Sequence, residues 1–137
     1  MVDERDGLRA CGFDRVGAIR PILSGRSCET LIVSDILGEA LFAFVVDGRV
    51  AFIGSTARGL GRRVRGAAGA LKAQLENPER PTKDPFQREA PDVIRNGQEI
   101  EVWGKASTPN ALLVERDELN VRFTPLWLGR LPSRPPR

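Results

Sequence analysis

Apolar residues recur with different periods on either side of Gly54, and the change of period predicts a hairpin followed by a helix. The segment ALFAFVVDGRVAFIG, residues 40–54, has two runs rich in Phe and Val around Asp47-Gly48, which is typical of a β-hairpin. Residues 55–76 are predicted to form a loop that leads into a helix. The apolar residues of this helix recur at spacings of three and four and form one stripe: Leu60, Val64, Ala67, Leu71 and Leu75.

Two weaker patterns precede the hairpin. Residues 13–23 mix apolar and charged positions and run into Pro21, which predicts a short strand or an irregular lead-in. Residues 28–40 fit a strand followed by a helical turn.

The segments after the helix complete the predicted fold. Residues 77–91 contain four prolines and are predicted to be largely loop, with a helical turn that ends at Asn96-Gly97. Residues 98–106 alternate apolar and polar positions, as a half-buried strand does, and residues 110–123 are predicted to form a helix that Pro125 stops. The order ββ-α-β-α predicts the α+β class, with a small antiparallel β-sheet and flanking helices.

Charge changes this picture because it is clustered. The 137 residues fit one domain, and the net charge of +3 alone does not indicate a nucleic-acid partner. However, five basic residues and no acid lie between positions 58 and 72: Arg58, Arg62, Arg63, Arg65 and Lys72. This segregation fits a surface that faces a polyanion, and it equally fits a solvated helix face.

Several classes of protein are excluded or disfavoured by absent residues. The chain has no histidine and no C-x-x-C pair, so Cys11 and Cys28 do not predict a zinc site, and they suggest a reduced, cytoplasmic chain. The N-terminus is charged, which argues against a secretion signal, and no apolar run is long enough to cross a membrane. The absence of both histidine and tyrosine removes the side chains that most often transfer protons near neutral pH.

The hairpin and the helix after it resemble the GIY-YIG nuclease superfamily, and more closely a subgroup of its small stand-alone bacterial domains. The segments that carry the resemblance are FAFVVDGRVAFIGST with a following LGRR, then EIEVW and RFTPLW. The resemblance implies one GIY-YIG-like domain over residues 1–128, followed by a basic tail rich in Pro and Arg over residues 129–137.

The resemblance also assigns candidate site residues position by position. The first motif tyrosine falls on Phe42, the second on Phe52, and the catalytic arginine on Arg63, nine residues after Gly54. The metal-binding glutamate of the last helix falls near Glu115. Counting back from Pro125 puts that position on Arg116 instead, so that Glu118 is a second candidate.

In the resembled family, one divalent ion stabilises charge at the scissile phosphate, the arginine neutralises that phosphate, and a tyrosine or histidine activates the attacking water. Phe42 and Phe52 preserve the shape of the tyrosines without the hydroxyl groups. The resemblance therefore implies a metal-dependent DNA endonuclease that uses Mg²⁺ or Mn²⁺ and has impaired catalysis. The alternative is a catalytically degenerate module on the same fold that binds DNA, RNA or another protein.

Two further expectations follow from this hypothesis. A working or remnant site needs Phe42 and Phe52 on one face of the hairpin. A three-residue loop, Val46-Asp47-Gly48, with a bulge at a left-handed Gly48 would pair them, whereas a two-residue turn would put them on opposite faces; the three-residue loop is predicted. The remaining cations of the basic cluster are candidates for contacts with the nucleic-acid backbone or for plain surface charge: Arg58, Arg62, Arg65 and Lys72.

Overall fold

The computed structural model describes residues 3–127, and the predicted tail at 129–137 lies outside them. The described chain forms a five-stranded antiparallel sheet with helices on both faces, which confirms the α+β class. The strands are β1 (Asp14–Ile22), β2 (Ser27–Ile32), β3 (Ala40–Val46), β4 (Arg49–Thr56) and β5 (Ile100–Ala106). The helices are α1 (Glu4–Ala10), α2 (Leu60–Glu76), α3 (Pro85–Arg95) and α4 (Leu112–Phe123). None of the helices within these described residues has the length and apolar character needed to span a membrane.

The strands lie in the order β2-β1-β5-β3-β4, so that β4 is an edge strand. One face of the sheet packs against α2 and α3 through a core that includes Phe42, Phe44 and Leu71. The other face packs against α1 and α4 through a second core that includes Leu41 and Trp103. The edge strand β4 is therefore flanked by α2 on one face and by α4 on the other.

The hairpin turn differs from the prediction. Asp47 and Gly48 both have positive φ and form a two-residue turn, with Val46 paired to Arg49, so the predicted three-residue loop is wrong. A bulge further along the hairpin adds one residue, Ala51, to β4. Side chains alternate between the two faces of a strand. The extra residue therefore puts the Phe52 ring of β4 on the same face as Phe44, whereas the two-residue turn alone would put it on the opposite face.

The bulge sets the aromatic pairs of the hairpin. Phe44 pairs with Phe52, and Phe42 pairs with Gly54. The ring centroids of Phe42 and Phe52 are 6.1 Å apart, so the two rings share one face as the candidate site requires, although they are diagonal rather than directly opposite. Phe42 and Phe52 thus lie on one face of the hairpin, as expected, but the strand register differs from the predicted one.

Gly54 has no room for a side chain because the Phe42 ring crosses it. A Cβ atom at this position would lie 2.5 Å from Cζ of Phe42 and 2.9 Å from Cε2 of Phe52. We expect Gly54→Ala to lower the free energy of unfolding by about 1–3 kcal/mol, since the buried Phe42 ring cannot move aside freely. Urea denaturation monitored by circular dichroism measures this change.

Gly66 in the middle of α2 is the matched control, because a Cβ atom there meets nothing within 4 Å. We expect Gly66→Ala to raise the free energy of unfolding by about 0.5–1 kcal/mol. Equal losses in both variants would contradict the specific overlap at Gly54.

The segment before the hairpin serves the start of α2. Residues 33–39 are irregular, so the predicted helical turn is wrong. Asp35 instead accepts hydrogen bonds from the backbone N–H groups of Ile36 at 2.8 Å and Gly61 at 2.7 Å. Its carboxylate therefore caps the first turn of α2, where backbone N–H groups lack partners within the helix.

Charged side chains hold α1 against β5. The Arg5 guanidinium donates to the carboxylate of Glu101 from Nε at 3.0 Å and from its terminal nitrogen at 2.6 Å. Trp103 Nε1 donates to the same carboxylate at 3.0 Å. The helix, which the sequence patterns did not predict, is thus attached to the sheet by a largely buried ion pair.

The chain that follows α4 returns to the edge strand. The backbone N–H of Leu126 donates to the carbonyl of Val50 at 3.1 Å, and that of Trp127 donates to the carbonyl of Ala51 at 2.8 Å. The Trp127 ring is buried against Phe86 of α3, with centroids 5.9 Å apart. These contacts place the last described residues along the first half of β4.

Candidate nucleic-acid interface

Arg63 lies in the second turn of α2, above the aromatic rings of the hairpin. Its guanidinium carbon is 5.3 Å from the centroid of the Phe42 ring, a distance at which a cation and a π-face attract each other. Phe42 is fully buried, whereas Arg63 is exposed and Phe52 is half-buried. Phe42 thus supports the guanidinium from below, and Phe52 is the ring that reaches the surface beside it.

A cavity of about 320 Å³ opens beside Arg63 at the edge of the sheet. Residues from β4, α2 and α4 line it, including Phe52, Gly54, Ser55, Arg63, Arg116, Asp117 and Asn120. The structure therefore brings Arg63 and Phe52 to one concave surface, together with side chains from the last helix.

Asn120 fixes α4 against the edge strand. It is 4% exposed, and its Nδ2 donates to the backbone carbonyl of Arg116 at 2.9 Å and to that of Ile53 at 3.4 Å. Among the described residues, its buried Oδ1 has no hydrogen-bond partner. The amide is held by two carbonyl groups, so α4 presents residues 116 and 117 to the cavity.

Arg116 and Asp117 form a pair at the rim of this cavity. Arg116 donates to Oδ1 of Asp117 from Nε at 3.1 Å and from a terminal nitrogen at 3.0 Å. Arg63, in contrast, has no carboxylate partner within residues 3–127. The charged groups of the lining are thus two guanidinium groups and one carboxylate.

Glu115 and Glu118 are not among the residues that line this cavity. They line a separate cavity of about 390 Å³ together with Lys105. Glu115 accepts hydrogen bonds from Ser107 Oγ at 2.6 Å and from Lys105 Nζ at 3.1 Å, and these bonds hold the pKa of its carboxyl below the usual value. Successive helix residues are rotated by about 100°, so a shift of one residue from Arg116 turns the side chain to another face.

The overall fold matches two solved endonuclease structures, while no protein-family model and no curated protein matches the sequence. A mutant of EndoII from bacteriophage T4 covers 92% of this chain and 98% of its own, with 11% identity and a TM-score of 0.69. The restriction endonuclease Hpy188I, solved in complex with product DNA, covers 96% and 87%, with 14% identity and a TM-score of 0.53. The chain has a nuclease-like fold.

Further basic residues lie close to Arg63 in the sequence, although none of them lines the cavity. Four exposed cations precede or follow Arg63 and have no acidic partner in the described part of the chain: Arg58, Arg62, Arg65 and Lys72. Other arginines are paired, for example Arg88 with Glu89 and Arg95 with Asp92. These four cations, spread from the loop before α2 to its fourth turn, form no ion pair within residues 3–127.

The donor atoms around Arg63 offer a divalent metal ion one carboxylate, which lies beside two guanidinium groups. Mg²⁺ needs hard oxygen ligands and is held in proteins by one or two carboxylates. Asp117 is the single carboxylate among the residues that line the cavity, and it is hydrogen-bonded to Arg116. Over residues 3–127, no three carboxylate, cysteine or histidine groups lie close enough together to hold a metal.

Sequence reasoning identified part of this cavity. Arg63 and Phe52 were predicted from the resemblance, and the count back from Pro125 reached Arg116, which lines the cavity. Asp117 was missed, and the signal that could have found it is its position next to Arg116. Asn120 was not predicted, because nothing local in the sequence shows that it reaches the carbonyl of Ile53.

Proposed function

We propose that this protein binds the phosphodiester backbone of DNA at the cavity beside β4, with Arg63 contacting a phosphate. The observation that carries the proposal is the exposed Arg63 guanidinium over the buried Phe42 ring, without a carboxylate partner among residues 3–127. An unpaired guanidinium forms strong, charge-assisted hydrogen bonds to phosphate oxygens. Neighbouring phosphates would meet the exposed cations Arg58, Arg62, Arg65 and Lys72.

DNA binding is favoured over DNA cleavage by the chemistry of the same residues. Phe42 and Phe52 carry no hydroxyl group, and the chain has neither tyrosine nor histidine to activate water. The missing general base costs roughly 10²–10⁴ in rate. In addition, the cavity beside Arg63 offers a divalent ion a single carboxylate, which accepts hydrogen bonds from Arg116. The protein is therefore proposed to hold a DNA backbone rather than to cut it.

DNA is the proposed partner because of the fold that this chain shares. The endonuclease Hpy188I was solved with product DNA, and its likeness to this chain extends over 96% of the chain. RNA carries the same phosphodiester groups, so a direct comparison of the two nucleic acids in one binding assay distinguishes the partners.

Arg63→Gln tests the proposal directly. We expect this variant to bind a fluorescent DNA duplex about 10- to 100-fold more weakly than the wild type, because hydrogen bonds to a charged group contribute about 1.5–3 kcal/mol. Fluorescence anisotropy at low salt gives the dissociation constants. Arg20→Gln, which removes an exposed arginine of β1, is the control and is expected to change binding less than twofold.

A nicking assay on supercoiled plasmid with Mg²⁺ or Mn²⁺ completes the test, and no cleavage above background is expected. Cleavage that disappears in Arg63→Ala would instead establish a working endonuclease. Failure of the wild type to bind DNA at low salt would contradict the proposed function.

A further inference from the structure

Arg63 and Arg116 reach the same cavity from opposite faces of the sheet. Arg63 belongs to α2, which packs on one face, and Arg116 belongs to α4, which packs on the other. The edge strand β4 lies between them. We infer that the two guanidinium groups form a clamp for one phosphate group, and that this clamp binds DNA without a divalent cation. The inference rests on the proposed function and assigns a second binding residue to it.

The charge of the cavity favours an anion. Its charged lining residues are Arg63, Arg116 and Asp117, so the lining carries one excess positive charge. A divalent cation would face two guanidinium groups and a single carboxylate that already accepts two hydrogen bonds from Arg116. A phosphate diester carries one negative charge and two unesterified oxygens, so it can accept hydrogen bonds from both arginines at once.

Arg116 is free to exchange partners. Its side chain is 36% exposed, and its ion pair with the adjacent Asp117 is also exposed. Exposed pairs of this kind contribute little to stability, and Arg116 uses only one carboxylate oxygen of Asp117. A phosphate in the cavity offers Arg116 an anionic partner beside the partly buried Phe52 ring, and the bonds it accepts are charge-assisted like those that Arg116 gives up.

The backbone of Arg116 is fixed, so its side chain needs only a rotamer change. Its carbonyl accepts the hydrogen bond from Asn120 Nδ2, and the same amide is bonded to Ile53 of the edge strand. This contact keeps α4 in register with β4. Arg116 is therefore anchored at its base while its guanidinium remains exposed at the cavity rim.

Binding of a DNA duplex by Arg116→Gln tests the clamp. At a given ionic strength, we expect about tenfold weaker binding than the wild type. Over a salt titration, we expect a slope of log K against log salt that is smaller in magnitude by about 0.9, the value for one lost phosphate contact. Arg122→Gln, on the same helix and outside the cavity lining, is the matched control and is expected to retain wild-type affinity. Wild-type affinity in Arg116→Gln, with loss in Arg63→Gln, would overturn the clamp while the proposed function stands.

The cation requirement has its own test. We expect the dissociation constant of the wild type for DNA to differ by less than twofold between EDTA and Mg²⁺ at matched ionic strength. Binding of Mn²⁺ is measured by water-proton relaxation. We expect Asp117→Asn to bind Mn²⁺ no more weakly than the wild type does. A requirement for Mg²⁺, or Mn²⁺ binding that depends on Asp117, would overturn the inference.

Titration with inorganic phosphate separates the clamp from DNA binding as a whole. We expect the Nε–Hε signals of Arg63 and Arg116 in nitrogen-15 spectra to shift with a common midpoint, and the signal of Arg122 to stay in place. Movement of Arg63 alone would contradict the clamp. This result is independent of any failure to bind a duplex, so the two proposals fail separately.

Discussion

Replacing Arg58, Arg62, Arg65 and Lys72 together by glutamine is expected to abolish DNA binding at physiological salt. Each phosphate contact adds about 0.9 to the slope of log K against log salt, so the loss of four contacts lowers the slope by about 3.6. The affinity falls because fewer condensed counterions are released from the DNA on binding. Anisotropy titrations between about 50 and 200 mM salt measure the slope and the affinity.

The control for this variant makes the same change in net charge elsewhere. Arg9, Arg20, Arg88 and Arg95 each lie near a carboxylate, so their replacement by glutamine removes four charges from sites with an acidic neighbour. We expect the control variant to keep most of its affinity. Equal losses in the two variants would show that only net charge matters and would contradict a localised binding face on α2.

Arg5→Met is expected to lower the free energy of unfolding by about 3–5 kcal/mol, the largest effect on stability that the structure predicts. The Glu101 side chain is only 10% exposed, and the substitution leaves Arg15, at 4.0 Å, as the remaining cation near its carboxylate. Trp103 alone continues to donate to it. Urea denaturation near neutral pH measures the loss, and a variant as stable as the wild type would show that the ion pair contributes nothing.

The pH dependence of this effect has a definite sign. Burial raises the pKa of Glu101, but the hydrogen bonds from Arg5 and Trp103 outweigh it and hold that pKa below the usual value. The stability that the ion pair provides is therefore present above the pKa of an unfolded glutamate and is lost as the pH falls through the lower folded pKa. In Arg5→Met, burial is no longer opposed by Arg5, so the carboxyl takes up a proton more readily. The difference in stability between the two proteins should narrow on acidification.

The sequence predicted those elements whose residues repeat locally. The apolar stripe from Leu60 to Leu75 correctly predicted α2, and the apolar runs around Asp47-Gly48 correctly predicted β3 and β4. The alternation of apolar and polar residues over 98–106 predicted β5, and α4 ends at Phe123, before Pro125, as expected. In each case, one short segment holds both the pattern and the signal that ends it, so no information about distant residues was needed.

The features that failed depend on distant residues. The bulge at Ala51 has no glycine or turn signal of its own, and it changes the partner of Phe42 from Ile53, which the two-residue turn alone would give, to Gly54. Asp35 looks like part of a helical turn until the start of α2, 26 residues later, supplies N–H groups for it to cap. Glu115 and Arg116 of the last helix are adjacent in the sequence. Only the coordinates show that Arg116, and not Glu115, lines the cavity with Arg63.

The backbone hydrogen bonds along β4 bear on self-association. An edge strand with unpaired backbone N–H and C=O groups can pair with a strand of another chain, and this pairing begins aggregation. Here the carbonyls of Val50, Ala51 and Ile53 already accept hydrogen bonds from Leu126, Trp127 and Asn120. Intermolecular strand addition is therefore blocked over that part of the margin, and the stretch beyond Ile53, where the cavity opens, is left accessible to a ligand.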